Sequence, residues 1–161
     1  MDILSVLSNS GIFEKVNEET LTSLAKKCEV QVFEDGETIF SEGSLEPRGL
    51  YILAGGEVLV TTELVEKGGL DGATEKREFF ITSLHPGDTF GEISILDSGP
   101  RSATTRSNGL TTVCFIPEKA IFDLLDTDTL AIYHITLNIA RIVCNRLREA
   151  DFAFKYKSLL G

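Results

Sequence analysis

The run LYILAGGEVLVTTELV, residues 50–65, decides the fold: short apolar, β-branched segments flank Gly55-Gly56, and neither has the 3.6-residue spacing of a helix. Outward from it the same pattern repeats across residues 30–117. VQVF precedes Asp35-Gly36, TIF precedes Gly43, and EVLVTTELV runs toward Gly68-Gly69 and Asp71-Gly72. REFFITSL leads to a turn at Pro86-Gly87-Asp88, then come an apolar run in FGEISIL, SATTRS and LTTVCFIP. Asp-Gly and Gly-Gly suit tight hairpins, because glycine takes positive φ without steric cost. Many short strands with regular turns predict a sandwich or small barrel, and the polar, glycine-rich residues 66–76 predict a mobile hairpin loop.

Both flanks are helical in pattern. Across residues 3–28, Leu4, Leu7, Ile12, Phe13, Val16, Leu21, Leu24 and Ala25 fall near helical spacing, broken at Gly11, and Asn17 is placed to start the second segment. Beyond Pro117 a short helix over residues 118–125 is expected. Asp126-Thr-Asp-Thr then offers capping side chains for a long helix beginning near Leu130. On that helix Leu130, Tyr133, Leu137, Ala140, Cys144 and Leu147 form one seam, while Ile135, Ile139, Ile142 and Arg146 lie nearly opposite. His134, Asn138, Arg141, Asn145 and Arg148 share the polar sector that remains. So wide an apolar arc suits a helix wedged between its own barrel and a second copy of the chain, or a single well-buried helix in a monomer.

Composition narrows the function. The 161 residues suffice for one domain, and 42% hydrophobic residues suffice for its core. A net charge of −10 repels polyanions, which disfavours DNA and acidic membranes as partners. There is no membrane-length apolar stretch and the start lacks a basic region before an apolar core, so a cytoplasmic location is expected. Cys28, Cys114 and Cys144 fit neither a disulfide framework nor a metal knuckle and read as small core residues. Two distant histidines, His85 and His134, argue against a metal site, a cupin-like enzyme or a Ser-His-Asp hydrolase.

One segment stands apart in its chemistry: FGEISILDSGPRSATTRS, residues 90–107. Gly91 lets backbone approach a ligand, and a short helical turn after it would offer free N–H groups to an anion. Arg101 and the Ser102 hydroxyl, followed by the small Ala103, are donors suited to a phosphate, and the Glu92 carboxylate is a strong acceptor for a sugar hydroxyl. Residue chemistry alone also allows a plainer reading, an ion pair between Glu92 and Arg101.

The segment resembles the phosphate-binding cassette of the cyclic nucleotide-binding domain family. The likeness runs through Phe90-Gly91-Glu92, the apolar Ile93-Ser94-Ile95-Leu96, a spacer, and Pro100-Arg101-Ser102-Ala103-Thr104. It extends to IFEKVNEETLTSLAKKC, FEDGETIFSEGSLEPRGLYILAGGEVLV, LHPGDTFGE and the long terminal helix. The resemblance implies a mainly β fold: a double-stranded β-helix (jelly-roll) barrel over residues 29–117, with N-terminal helices over 1–28 and C-terminal helices over 118–161. The cassette would occupy residues 90–104.

It further implies that Glu92 accepts the ribose 2′-hydroxyl, that Gly91 and Ile93 lie against the sugar-phosphate, and that Arg101 holds the exocyclic phosphate oxygens. Ser102 would donate to the phosphate and Ala103 would keep the space clear. Arg146 best matches a terminal-helix arginine that reaches the base in some channel relatives, and a surface cation is its plain alternative. Arg106, next along the strand, is read as exposed. The expected ligand is cAMP ahead of cGMP, without cofactor or metal, in a non-enzymatic sensor whose terminal helix moves, dimerises and passes the signal to an unidentified protein. With the chain ending at Gly161 there is no room for the helix-turn-helix of DNA-binding relatives, so no DNA partner is expected. The alternatives are a degenerate interaction module that binds no nucleotide and a small cupin-like enzyme.

Overall fold

The structure, a computed structural model, describes residues 1–67 and 74–160. Helix α1 (Ile3–Ser8), a 3-10 turn at Gly11–Phe13 and α2 (Glu18–Ala25) precede strands β1 (Glu29–Phe33), β2 (Thr38–Phe40), β3 (Gly49–Lys67), β4 (Thr74–Leu84) and β5 (Thr89–Phe90). Then follow α3 (Ile93–Asp97), β6 (Thr104–Pro117), α4 (Glu118–Phe122), α5 (Leu124–Thr127) and α6 (Thr129–Leu160). The strands make one antiparallel sheet in the order β1-β6-β3-β4, with β2 also on β6 and β5 also on β3. Among the described residues its pairing does not close into a ring.

The strands are fewer and longer than the sequence suggests. Gly55-Gly56 is no hairpin turn: it lies inside β3, where the register against β6 shifts on both sides of Gly55. Gly56 has φ +88°, and a Cβ there would meet the Leu110 carbonyl oxygen at 2.6 Å, so glycine lets the paired strand β6 approach closely at the register shift. TTRS, the end of SATTRS, and LTTVCFIP likewise share the single strand β6 around Gly109. The apolar part of FGEISIL is helix α3, as the short helical turn read after Gly91 expects, and not one of the β-type runs. The expected loop at 66–76 is in part strand, with Glu66 and Lys67 paired to Glu75 and Thr74; its residues 68–73 lie outside the described residues.

Both faces of the central strands are covered, which explains their unbroken apolar runs. Leu50 and Ile52 of β3, with Cys114 and Ile116 of β6, pack on the helices with Leu7, Ile12, Leu24, Ile121, Ile135 and Ile139. The alternate residues Tyr51, Leu53, Val113 and Phe115 face a second cluster with Phe40, Val58, Leu84 and Phe90. Within it the Tyr51 ring stacks on Phe90 at 5.1 Å and tilts against Phe115 at 4.8 Å.

Capping side chains fix the starts of α2 and α6 as their sequences suggest. The Asn17 carboxamide oxygen accepts from the Thr20 amide at 2.8 Å, and Asp128 Oδ1 accepts from the Ala131 amide at 3.0 Å. Asp128 Oδ2 also accepts from Asn17 and Thr20, joining the starts of α2 and α6. Asn138, in the polar sector of the helix, is buried: its Nδ2 donates to the Ile12 and Glu14 carbonyls and pins the 3-10 turn to α6. Cys144 also departs from expectation, being exposed rather than in the core. Cys114 is buried, and burial together with Cys114 pushes the Cys28 thiol up to about 12. Among the described residues, no helix is long and apolar enough to cross a membrane.

Candidate functional site

The turn at His85, held by Asp88 Oδ2 accepting from the His85 amide, delivers β5 to the edge of β3. Beyond β5 the chain turns sharply at Gly91, φ +76°, into α3. A side chain at 91 would collide with the Arg101 guanidinium, so glycine makes room for that group. Residues 98–103 then return beside residues 43 and 44, the Arg101 amide donating to the Ser44 carbonyl and its own carbonyl accepting from Gly43.

One cavity of about 730 Å³, mouth included, opens here between the sheet, α3 and α6. Gly91, Glu92, Ile93, Arg101, Ser102, Ala103 and Arg146 all line it, with Phe40, Val60, Ile81, Leu84 and Phe90 as its apolar wall. The structure therefore brings together every site residue singled out in the sequence. Glu92 and Arg101 are buried to 1% and 3% exposure, whereas Ser102 is exposed at the rim.

The Glu92–Arg101 ion pair expected on plain residue chemistry is not what holds either group. Arg101 Nη1 donates to the Gly91 carbonyl at 2.8 Å and to Ser94 Oγ at 2.9 Å, while Nη2 donates to the carbonyls of Pro47 at 2.5 Å and Gly49 at 3.1 Å. Its guanidinium also stacks 4.3 Å over the Phe40 ring. Burial lowers its pKa from the ordinary value, opposed by Tyr51 and then Glu92, and arginine stays charged at such a site. Glu92 pairs instead with Arg146: Nη1 lies 2.5 Å from Oε1, and Nη2 donates to the Thr89 carbonyl at 2.6 Å.

Among the described residues of α6, Arg146 is the one that lines the cavity, and its contact with Glu92 ties the helix to the site. The sequence suggested its position but not its partner. Arg106, by contrast, is exposed as expected and pairs with Glu78 at 3.4 Å. Missed altogether was Ser94, whose hydroxyl accepts from Arg101 and donates to the Gly91 carbonyl. A hydroxyl in the first turn of a short helix gave no signal distinct from that of a capping residue.

A long sheet wrapped around a cavity with a buried guanidinium and carboxylate, closed by a terminal helix, defines a class of small-ligand-binding domain. The family profile of the cyclic nucleotide-binding domain matches residues 30–128, and the chain belongs to that family. It is 30% identical over 151 residues to the CRP-like cAMP-activated global transcriptional regulator of Mycobacterium tuberculosis, covering 91% of this chain and 59% of the relative. A cAMP-dependent protein kinase regulatory subunit of Dictyostelium discoideum is 35% identical over 111 residues, 69% of this chain and 30% of that one. Among solved structures, the Thermus thermophilus catabolite activator protein superposes with a TM-score of 0.70 at 27% identity, covering 92% of this chain and 63% of that one. A Methylobacillus flagellatus cyclic nucleotide-binding domain gives 0.76 at 20% identity, over 96% and 82%. The chain thus spans about 59% of the length of the mycobacterial relative.

Proposed function

We propose that the chain is a sensor domain that binds one cyclic nucleotide, cAMP ahead of cGMP, and transmits its presence through α6. The observation that carries this reading is the convergence on one cavity of Glu92 from the turn before α3, Arg101 from the loop before β6, and Arg146 from α6. Arg101, Ser102 and the Gly91 backbone hold the cyclic phosphate. A charged phosphate oxygen is a stronger acceptor than the neutral carbonyls that Arg101 now serves, so the guanidinium exchanges part of that set on binding. Glu92 accepts the ribose hydroxyl, with a free carboxylate oxygen to do so while Arg146 holds the other. Ile93 and Ala103 shape the sugar-phosphate bed. We assign the domain no catalytic role and no cofactor; a cytoplasmic setting fits the ligand.

The same reading gives α6 a second copy of the chain as partner. Leu130, Tyr133, Cys144 and Leu147, along the seam turned away from the core, are all exposed, while Ile135 and Ile139 opposite them are buried. Burying that stripe against its twin would hide apolar surface that a monomer leaves in water. The protein that reads the signal is unidentified, and the −10 charge disfavours DNA in that role. A second reading, an interaction module that binds no nucleotide, is favoured by one observation: four protein acceptors already engage the terminal nitrogens of Arg101. Native mass spectrometry with and without cAMP separates the two. The sensor reading expects a dimer carrying two nucleotides; a species that takes up none under any loading supports the second reading.

A further inference from the structure

Strand β6 carries a row of hydroxyl side chains, and all but one of the buried ones have partners. Thr104 Oγ1 accepts from the Glu42 amide at 3.0 Å. Ser107 Oγ donates to the Glu34 and Glu37 carbonyls, and Thr111 Oγ1 to those of Glu57 and Gly109. Thr105 differs. It is 2% exposed, and its Oγ1 is the one buried side-chain polar atom without a hydrogen-bond partner among the described residues. A buried hydroxyl without a partner is unfavourable, and valine would fill nearly the same space in a strand at no such cost.

The place of that hydroxyl suggests its use. Thr105 lines the nucleotide cavity and sits in register between Phe40 of β2 and Val60 of β3, which line it too. Thr105 lies two residues beyond Ala103, which also lines the cavity, on the strand that leads away from the turn at Arg101 and Ser102. The following residue, Arg106, turns outward to Glu78. Around Thr105 the wall is apolar, formed by Val60, Ile81, Leu84 and Phe90, a surface suited to the flat face of a heterocycle and not to a phosphate or a sugar. A hydroxyl both donates and accepts, so it can meet a nitrogen of the six-membered ring or its exocyclic amino group.

We propose that the Thr105 hydroxyl hydrogen-bonds the base of the bound nucleotide and is the polar group by which this cavity recognises the base edge. The inference rests on the nucleotide-binding reading above and adds a residue to it. The test compares wild type, Thr105→Val and Thr105→Ser by calorimetric titration with two ligands. One is cAMP. The other is benzimidazole riboside 3′,5′-cyclic phosphate, which keeps the sugar-phosphate but lacks the amino group and the pyrimidine nitrogens of adenine.

Thr105→Val is expected to weaken cAMP about tenfold, or 1.4 kcal/mol, and to leave the benzimidazole ligand unchanged. Thr105→Ser is expected to keep the affinity for cAMP within about threefold, since it retains the donor and acceptor. Without ligand, Thr105→Val should melt no lower than wild type, because it removes an unpartnered hydroxyl. Unchanged cAMP affinity in Thr105→Val would overturn the proposal, leaving the hydroxyl to a buried water. Equal weakening of both ligands would overturn it too, placing the effect at the sugar-phosphate end or in the fold. If wild type binds neither ligand, the nucleotide-binding reading itself fails; binding by wild type with an indifferent Thr105 sinks this inference alone.

Discussion

Arg101→Ala is expected to weaken cAMP at least about 100-fold and to lower the stability of the ligand-free protein by about 3 kcal/mol. Both effects come from the same geometry. The side chain is 3% exposed and ties residues 47–49 to the turn at Gly91 and to α3 through four hydrogen bonds. Alanine leaves the Pro47, Gly49 and Gly91 carbonyls without this donor and removes the cation from the Phe40 ring. Hydrogen bonds to a charged group are worth about 1.5–3 kcal/mol each, but water entering the gap recovers part of the loss, hence the smaller total. Removing the phosphate's cation by itself accounts for about 2.8 kcal/mol of binding at 100-fold. Thermal unfolding reads the first effect and calorimetry on the folded variant the second. Arg101→Lys sharpens the comparison: a lysine keeps the charge but, as a point donor, cannot span the four acceptors. It should recover part of the stability and little of the affinity. An Arg101→Ala protein that binds cAMP like wild type would remove the guanidinium from the site.

Arg146→Ala is expected to disconnect α6 from the cavity. The carboxylate it leaves behind is 2% exposed, so its loss of a cation is costly, while the guanidinium itself is 38% exposed and water replaces part of what it supplies. The larger consequence concerns the helix. Past Ile139 the helix packs less closely: Ile142 and Val143 are only partly buried, and Arg146 reaches across to Glu92 and Thr89 from the next turn. Without that tether, amide exchange over residues 142–150 should speed about tenfold, the local opening free energy falling by roughly 1.4 kcal/mol. Coupling needs a contact that differs between the free and bound states, and Glu92 is shared by Arg146 and the proposed ribose hydroxyl. In wild type, therefore, cAMP should change exchange over this segment, and in Arg146→Ala that change should disappear while binding persists. The same cAMP-dependent change in both proteins would show that the signal leaves the site by another route.

How much of this was legible in the sequence depended on whether the relevant physics was local. Helix starts were readable because Asn17 and Asp128 cap amides three residues ahead. The strand runs were readable too, but not their continuity. Gly55-Gly56 reads as a turn, yet it lies within one strand at a register shift and a positive φ, a distinction that depends on what lies opposite. The resemblance gathered all seven site residues, and they do share a cavity. It did not supply their present partners. Glu92 meets Arg146 across 54 residues of sequence, and Arg101 is held by backbone carbonyls, which any residue could provide. The burial of Asn138 was illegible for a similar reason: nothing in a helix's polar sector marks the residue to which a second element offers buried carbonyls. Thr105 is the converse case, a residue ordinary in sequence whose interest lies in the partner it lacks.

The central claim is that this acidic chain reserves one guanidinium-lined cavity for a cyclic nucleotide. Calorimetric titration of cAMP into the purified wild-type protein, with cGMP in parallel, tests it most directly. The account predicts saturable heat at one nucleotide per chain in the micromolar range, with cAMP the tighter of the two. Absence of heat for both ligands up to high micromolar concentration would contradict it.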